Sequence, residues 1–257
     1  MDRSRSQRST AWPSALCATI GLLLATTRAH GQGGPPLETD DPATPGNGHW
    51  EVNAAVTLER TSGTSLYEAP LGDANYGLGE RIQLKLEIPL LLFHGTTDSR
   101  ARLGNALVGV KWRFLQDSSS HISISTYPQL EIQNSLLVPD NSENEPGALL
   151  IPTELVLTTG ILGVNAEAGY RIVHGEKDEL IYGLALGYQA SGTLELLTEC
   201  KGRSDRTWES SELLCQLGTR DRIGEHFSLL AALGAGVAGD PAERPHLHMY
   251  LGLQSRW

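Results

Sequence analysis

From residue 50 to the last residue, apolar and polar side chains alternate with a period of two, in run after run. The first run sets Trp50, Val52, Ala54, Val56 and Leu58 against Glu51, Asn53, Ala55, Thr57 and Glu59. Successive side chains of a β-strand point to opposite faces, so this period fits strands and not helices, whose period is 3.6. The pattern returns with Tyr76, Leu78, Ile82, Leu84, Leu86 and Ile88 against Arg81, Gln83, Lys85 and Glu87. Further runs lie around 106–114, 121–133, 162–172, 180–189, 227–237 and 247–257, with less regular ones near 149–159, 193–200 and 207–219. Turn residues separate them at 116–120, 174–178 and 238–241, and longer loops are expected near 61–73, 91–103 and 134–147. The expectation is an all-β chain with about 10–12 strands, even in number, and no long amphipathic helix.

These strands must bury one face. A soluble sandwich turns the apolar faces inward, whereas a membrane barrel turns them to lipid and keeps the polar faces around a lumen. Three features favour the barrel. The runs are about 10–14 residues long, where soluble strands average about 5–6 and a tilted membrane strand needs about 9–11. The polar faces carry charges of both signs: Lys85, Glu87, Lys111, Arg113, Glu131, Glu167 and Arg171 suit a hydrated lumen and are the candidate selectivity residues. The last run ends in an aromatic residue, with Leu251 and Leu253 before Trp257, and this resembles the assembly signal of outer-membrane barrels. Ser255 departs from that pattern. Trp50, Tyr76, Trp112, Phe114, Tyr170, Phe227 and Trp257 stand near run ends, where interfacial girdles place aromatics. An unpaired edge is intolerable inside lipid, so the sheet is expected to close.

The N-terminus reads as an export signal. Arg3, Arg5 and Arg8 precede an apolar run at 15–25, and Thr27-Arg28-Ala29 offers small residues at the cleavage positions. Eleven apolar residues are too few for a transmembrane helix. Leu16 before Cys17 is not small and most of the apolar run follows it, so Cys17 is not read as a lipidation site. Residues 1–29 are therefore the expected signal peptide, 30–48 an extended periplasmic lead-in rich in Gly, Pro, Asp and Thr, and 49–257 the barrel. Cleavage removes four arginines and one aspartate, leaving the mature chain more acidic than the full chain's −10. Such a chain is a poor partner for nucleic acid. Cys200 and Cys215 remain, and an exported protein with two cysteines invites a disulfide, with two separate thiols as the alternative.

Residues 35–53, PPLETDDPATPGNGHWEVN, resemble the start of a family of outer-membrane transporters named for the MetA pathway of phenol degradation. The blocks that carry the likeness are Glu38-Thr39-Asp40-Asp41-Pro42, Gly48-His49-Trp50-Glu51-Val52-Asn53 and Lys111-Trp112-Arg113-Phe114. The resemblance implies transport of small, aromatic or hydrophobic compounds and no catalytic residue.

Other residues offer alternative chemistry. His121 and Ser123 are two apart, as in an outer-membrane lipid hydrolase where a histidine activates a serine, but a third member is missing, and His226-Phe227-Ser228 repeats the spacing. His246 and His248 have the spacing of metal ligands without a third. Glu38, Asp40 and Asp41 could bind calcium, but read better as a solvated turn where the chain enters the barrel. No cofactor is expected. The expected partners are outer-membrane lipids, the barrel-assembly machinery and a small solute. The function read is a narrow channel, with a structural barrel of plugged lumen as the alternative and a lipid hydrolase behind it.

Overall fold

A computed structural model of the protein describes residues 33–95, 98–133 and 146–257. The expected signal peptide and Cys17 lie outside the described residues. Fourteen strand segments are present: β1 (Trp50–Arg60), β2 (Thr64–Leu78), β3 (Ile82–Gly95), β4 (Ser99–Leu103), β5 (Ala106–Asp117), β6 (Ile122–Thr126) and β7 (Gln129–Ile132). The second half holds β8 (Ala148–Thr159), β9 (Leu162–Val173), β10 (Glu179–Gln189), β11 (Leu194–Asp205), β12 (Ser211–Arg222), β13 (Phe227–Ala238) and β14 (Leu247–Arg256). No helix occurs among the described residues.

The segments amount to 12 strands. β4 and β5 are one strand broken at Gly104 and Asn105, both pairing with β3. β6 and β7 are one strand broken at Tyr127 and Pro128, both pairing with β5 and β8. Every pairing is antiparallel, and β1 pairs with β14 as well as β2, so the sheet closes into a barrel. The seam is sealed at its end by reciprocal backbone bonds between Trp50 and Trp257. Closure leaves no edge to be satisfied.

Polarity is inverted relative to a soluble protein. Leu84, Val110, Leu184 and Leu251 face outward with 41 %, 48 %, 52 % and 58 % of their surface exposed. Lys111 and Glu154 face the lumen with 1 % and 0 % exposed. A water-soluble fold does not expose apolar rows around its whole circumference while burying lysine and glutamate. Lipid outside and water inside accounts for both faces.

The two mouths differ. Trp50 and Trp257 lie at one, where short turns at 79–81, 118–121, 160–161, 190–193 and 223–226 join the strands. We call this the terminal mouth. The connections at 61–63, 174–178, 206–210 and 239–246 lie at the other, the loop mouth, as do the ends of β3 and β7 and the starts of β4 and β8. Aromatic pairs sit on the outer wall near both: Trp50 on Tyr76 with ring centroids 4.9 Å apart at the terminal mouth, and Tyr182 on Trp208 at 5.4 Å at the loop mouth.

Several boundaries differ from the reading of the sequence. The run over 76–88 is not one strand; it turns at Gly79, whose φ of 67° suits glycine. The expected loop at 61–73 is mostly β2. A register shift between Glu68 and Leu71 in its pairing with β3 breaks its alternation and hides it. The expected loop at 91–103 holds the end of β3 and all of β4. Residues 134–145 of the loop expected at 134–147 lie outside the described residues. The Lys-Trp-Arg-Phe block falls in β5.

Candidate functional site

The lumen is the candidate site, and its wall is built by the polar half of each strand's alternation. At the terminal end a side-chain ladder crosses four strands. Gln254 donates to Asn53, Asn53 to Asp73, Asn75 to Asp73, and Gln83 to Asn75 and to the Tyr127 hydroxyl. These amides are buried, and each NH2 donates to a partner in the ladder, across strands except for Asn75 to Asp73 within β2.

Residues 33–46 do not run as an extended lead-in. They enter the lumen as a tight turn. Gly34 N–H donates to Thr39 O at 2.8 Å, Leu37 N–H to Gly34 O at 3.0 Å, and Gly33 N–H to the Asp41 carboxylate at 3.1 Å. The expectation of a solvated turn at 38–41 fails, since Thr39 is 0 % and Asp41 7 % exposed. The wall holds this turn chiefly by its backbone. Glu199 accepts from Glu38 N–H at 2.7 Å and Thr39 N–H at 2.8 Å, one bond to each carboxylate oxygen. Glu167 accepts from Asp40 N–H at 3.1 Å. Arg220 donates to Gly33 O at 3.0 Å and Pro35 O at 2.8 Å while bonded to Glu195. Lys201 donates to Glu38 O at 2.6 Å and pairs with Glu167 at 3.0 Å. Asn165 donates to Asp40 O. Lys111 pairs with Asp40 at 2.8 Å and donates to Asp41 O. Bonds involving a charged partner contribute about 1.5–3 kcal/mol each. Leu37 adds an apolar anchor against Ala185 and Leu197. Burial pushes the Asp40 carboxyl up, but Lys111 and Lys85 outweigh it and hold the group below the usual carboxylate value.

Two glycines make room for the turn. A Cβ on Gly183 would lie 2.3 Å from Thr39 Oγ1, and one on Gly77 would lie 1.8 Å from Gly46 O. Gly183→Val is therefore expected to lift Thr39 off the wall without disturbing strand pairing. The check is limited proteolysis of folded protein: cleavage within 33–46 speeds up in the variant, and an unchanged rate refutes the docking contact.

On either side of the turn lies a cavity, and the two share no lining residue. One of about 560 Å³ opens toward the loop mouth and one of about 390 Å³ toward the terminal mouth. The loop-side cavity carries Glu38, Glu59, Glu131, Glu212, Asp240 and Glu243 against Arg171, Lys201, Arg203 and Arg244. Arg171 is engaged by Glu131 and Glu179, and Arg203 by Glu212. Lys201 is engaged by Glu167, outside that lining. No ion pair holds Glu59 or Glu243 among the described residues, so the cavity keeps an acidic surplus.

The seven candidate lumen residues all point inward but play different parts. Lys111 and Glu167 hold the turn. Lys85 pairs with Glu87 at 2.8 Å and lies 3.9 Å from Asp73. Glu131 and Arg171 pair at 2.9 Å on the loop-side wall. Arg113 donates to Glu80 O at the terminal rim. Glu199, Arg220, Asn165 and Lys201 were missed, although each falls on the polar side of its strand's alternation. Cys200 and Cys215, directly opposed on β11 and β12, form a disulfide.

Among the described residues, the catalytic and metal candidates assemble no site. His121 sits in a turn with φ of 56°, and Ser123 lies on β6. His246 contacts Ser62 at 3.1 Å, and His248 lies 3.8 Å from Glu38, so the two engage different partners. His226 Nδ1 contacts Arg256 O. Asp40 and Asp41 are committed to Lys111 and to backbone N–H groups, which leaves the calcium reading no ligand set.

No family model and no curated protein matches the chain in sequence. Solved structures do match in fold. The COG4313 outer membrane channel from Pseudomonas putida F1 superposes with a TM-score of 0.66 at 11 % identity, over 84 % of this chain and 98 % of that one. The NanC porin gives 0.59 at 6 % identity, over 79 % and 98 %. A KdgM porin in complex with disordered oligogalacturonate gives 0.55 at 9 %, over 79 % and 98 %. Identities this low establish a shared fold: the chain is a closed antiparallel barrel of the outer-membrane type.

Proposed function

We propose that the protein is an outer-membrane channel for small solutes, exported by a cleaved leader and held narrow by its own residues 33–46. The observation that carries this reading is the polar lumen, divided by that turn into two separate cavities. The terminal mouth has only turns of two to four residues, as a periplasmic side does, while the loop mouth also carries longer connections such as 239–246, as an external side does. Trp257, Leu253 and Leu251 then stand where the assembly machinery would meet the last strand. The lead-in and Lys-Trp-Arg-Phe blocks support membership of the MetA-pathway transporter family, and the barrel fold agrees with it. The solute we infer is small and polar or charged, because both cavities are lined mainly by charged and amide side chains. The aromatic or hydrophobic solute implied by the family resemblance is the competing substrate class.

The acidic surplus of the loop-side cavity gives the reading a direction, since rings of carboxylates favour cations in a narrow pore. In a planar bilayer under a potassium chloride gradient, the reversal potential is expected to take the sign of a cation-preferring pore. Replacing Glu38 and Glu59 together by glutamine is expected to move it toward zero. A reversal potential of anion-preferring sign overturns the charge assignment. A second reading, a structural barrel with a plugged lumen, is favoured by the many bonds that hold the turn. A wild-type protein that inserts yet gives no conductance steps selects it.

A further inference from the structure

The Cys200–Cys215 bridge lies on the outer wall. Cys200 shares its face of β11 with Leu196 and Thr198, while Leu197, Glu199 and Lys201 alternate inward. Across the sheet it opposes Leu184 of β10, and Cys215 opposes Ala235 of β13. Leu217, two residues beyond Cys215 on the same face, is 68 % exposed. Along the strands the sulfurs stand well inside: Cys200 is six residues from Leu194 and five from Asp205, and Cys215 four from Ser211 and seven from Arg222. At about 3.3 Å per residue and a tilt of about 40°, those spacings put the sulfurs roughly 10–18 Å from the strand ends. An apolar band of about 25 Å centred on the barrel would enclose them.

We propose that this disulfide closes before the barrel enters the membrane, and that insertion then seals it from aqueous redox chemistry. The inference rests on the proposed membrane placement. Disulfide exchange proceeds through a thiolate, and a thiolate in hydrocarbon is strongly disfavoured. Its reagents are water-borne. The step therefore belongs to the unassembled chain in the oxidising compartment it crosses. One cysteine thiolate attacks a sulfur of an oxidised dithiol protein and forms a mixed disulfide. The second cysteine displaces that partner, which leaves as the dithiol. The cysteine pair loses two electrons and two protons, and the partner gains both. The class of reaction that must precede membrane assembly is thus protein thiol oxidation by dithiol–disulfide exchange.

The test uses the leaderless oxidised chain refolded into phospholipid vesicles, beside the same chain unfolded in urea. Both are treated with a charged, water-soluble phosphine, then denatured in detergent and labelled with a maleimide polymer that counts free thiols. Unboiled samples on a detergent gel report whether the barrel has formed and inserted. Reduction in the inserted barrel is expected to be roughly tenfold slower or more than in the unfolded chain. The converse arm refolds reduced chain into vesicles and adds oxidised glutathione: the inserted barrel keeps both thiols, while unfolded chain loses them. Equal rates for inserted and unfolded chain overturn the sealing and the order of events. A chain that gives no heat-modifiable band in vesicles overturns the membrane placement itself, and the proposal with it.

Discussion

A mature chain starting at residue 46 is expected to conduct several-fold more current per channel than one that includes residues 33–45. In the intact protein those residues stand between cavities of about 560 and 390 Å³. Removing them joins the cavities into one lumen. The barrel is expected to survive, because the strands begin at Trp50 and the bonds of Gly48 and His49 to Gly77 remain. Glu199, Glu167, Arg220 and Lys201 lose the turn's backbone groups, keep their partners on the wall, Gln216 for Glu199, Glu195 for Arg220 and each other for Glu167 and Lys201, and gain water. Burial penalises an ion only while water is excluded. Leu37→Asp is the milder companion. It sets a carboxylate against Ala185 and Leu197, near Glu199, and is expected to give intermediate conductance with frequent openings. Single-channel recording in a planar bilayer decides both. Truncated and intact channels of equal conductance would show that the turn does not limit the passage.

The wall of this lumen was legible in the sequence, and the turn that fills it was not. Lys85, Lys111, Glu131 and Arg171 could be placed because period two assigns a face to every residue of a strand once one is known. β11 and β12 read poorly because Leu197 and Leu214 point inward and Gly202 outward, which blurs the alternation where Glu199, Lys201 and Arg220 belong. Residues 33–46 carry no period at all. Their docking runs mainly through backbone N–H and C=O groups, and those are identical in every residue, so composition alone could not choose between a solvated turn and a buried one. The Glu-Thr-Asp-x-Pro block gains a physical meaning from the structure: Glu38, Thr39 and Asp40 present successive N–H groups to Glu199 and Glu167.

The largest loss of stability is expected from Lys111→Met. Lys111 is 1 % exposed, and its ammonium lies 2.8 Å from Asp40, 3.9 Å from Glu154 and 4.6 Å from the centre of the Tyr127 ring. Methionine fills much the same volume, so packing is nearly preserved and the change isolates the charge. Removing one partner of a buried pair costs about 3–5 kcal/mol, and here the loss leaves fully buried Glu154, and Asp40 at the edge of the terminal-side cavity, without their cation. Lys85 offers the contrast. It also pairs with carboxylates, but its side chain is 13 % exposed against 2 % for Lys111, so Lys85→Met should cost less. The measurement is the urea concentration at which the fast-migrating folded band of the unboiled protein is lost. Adding Asp40→Asn to Lys111→Met is expected to recover part of the loss, since the orphaned carboxylate then goes with its partner. The double variant separates this account from simple overpacking, which Asp40→Asn would not relieve. If Lys111→Met leaves the midpoint where it was, Glu154 is screened without its cation, and Lys111 does not anchor the turn.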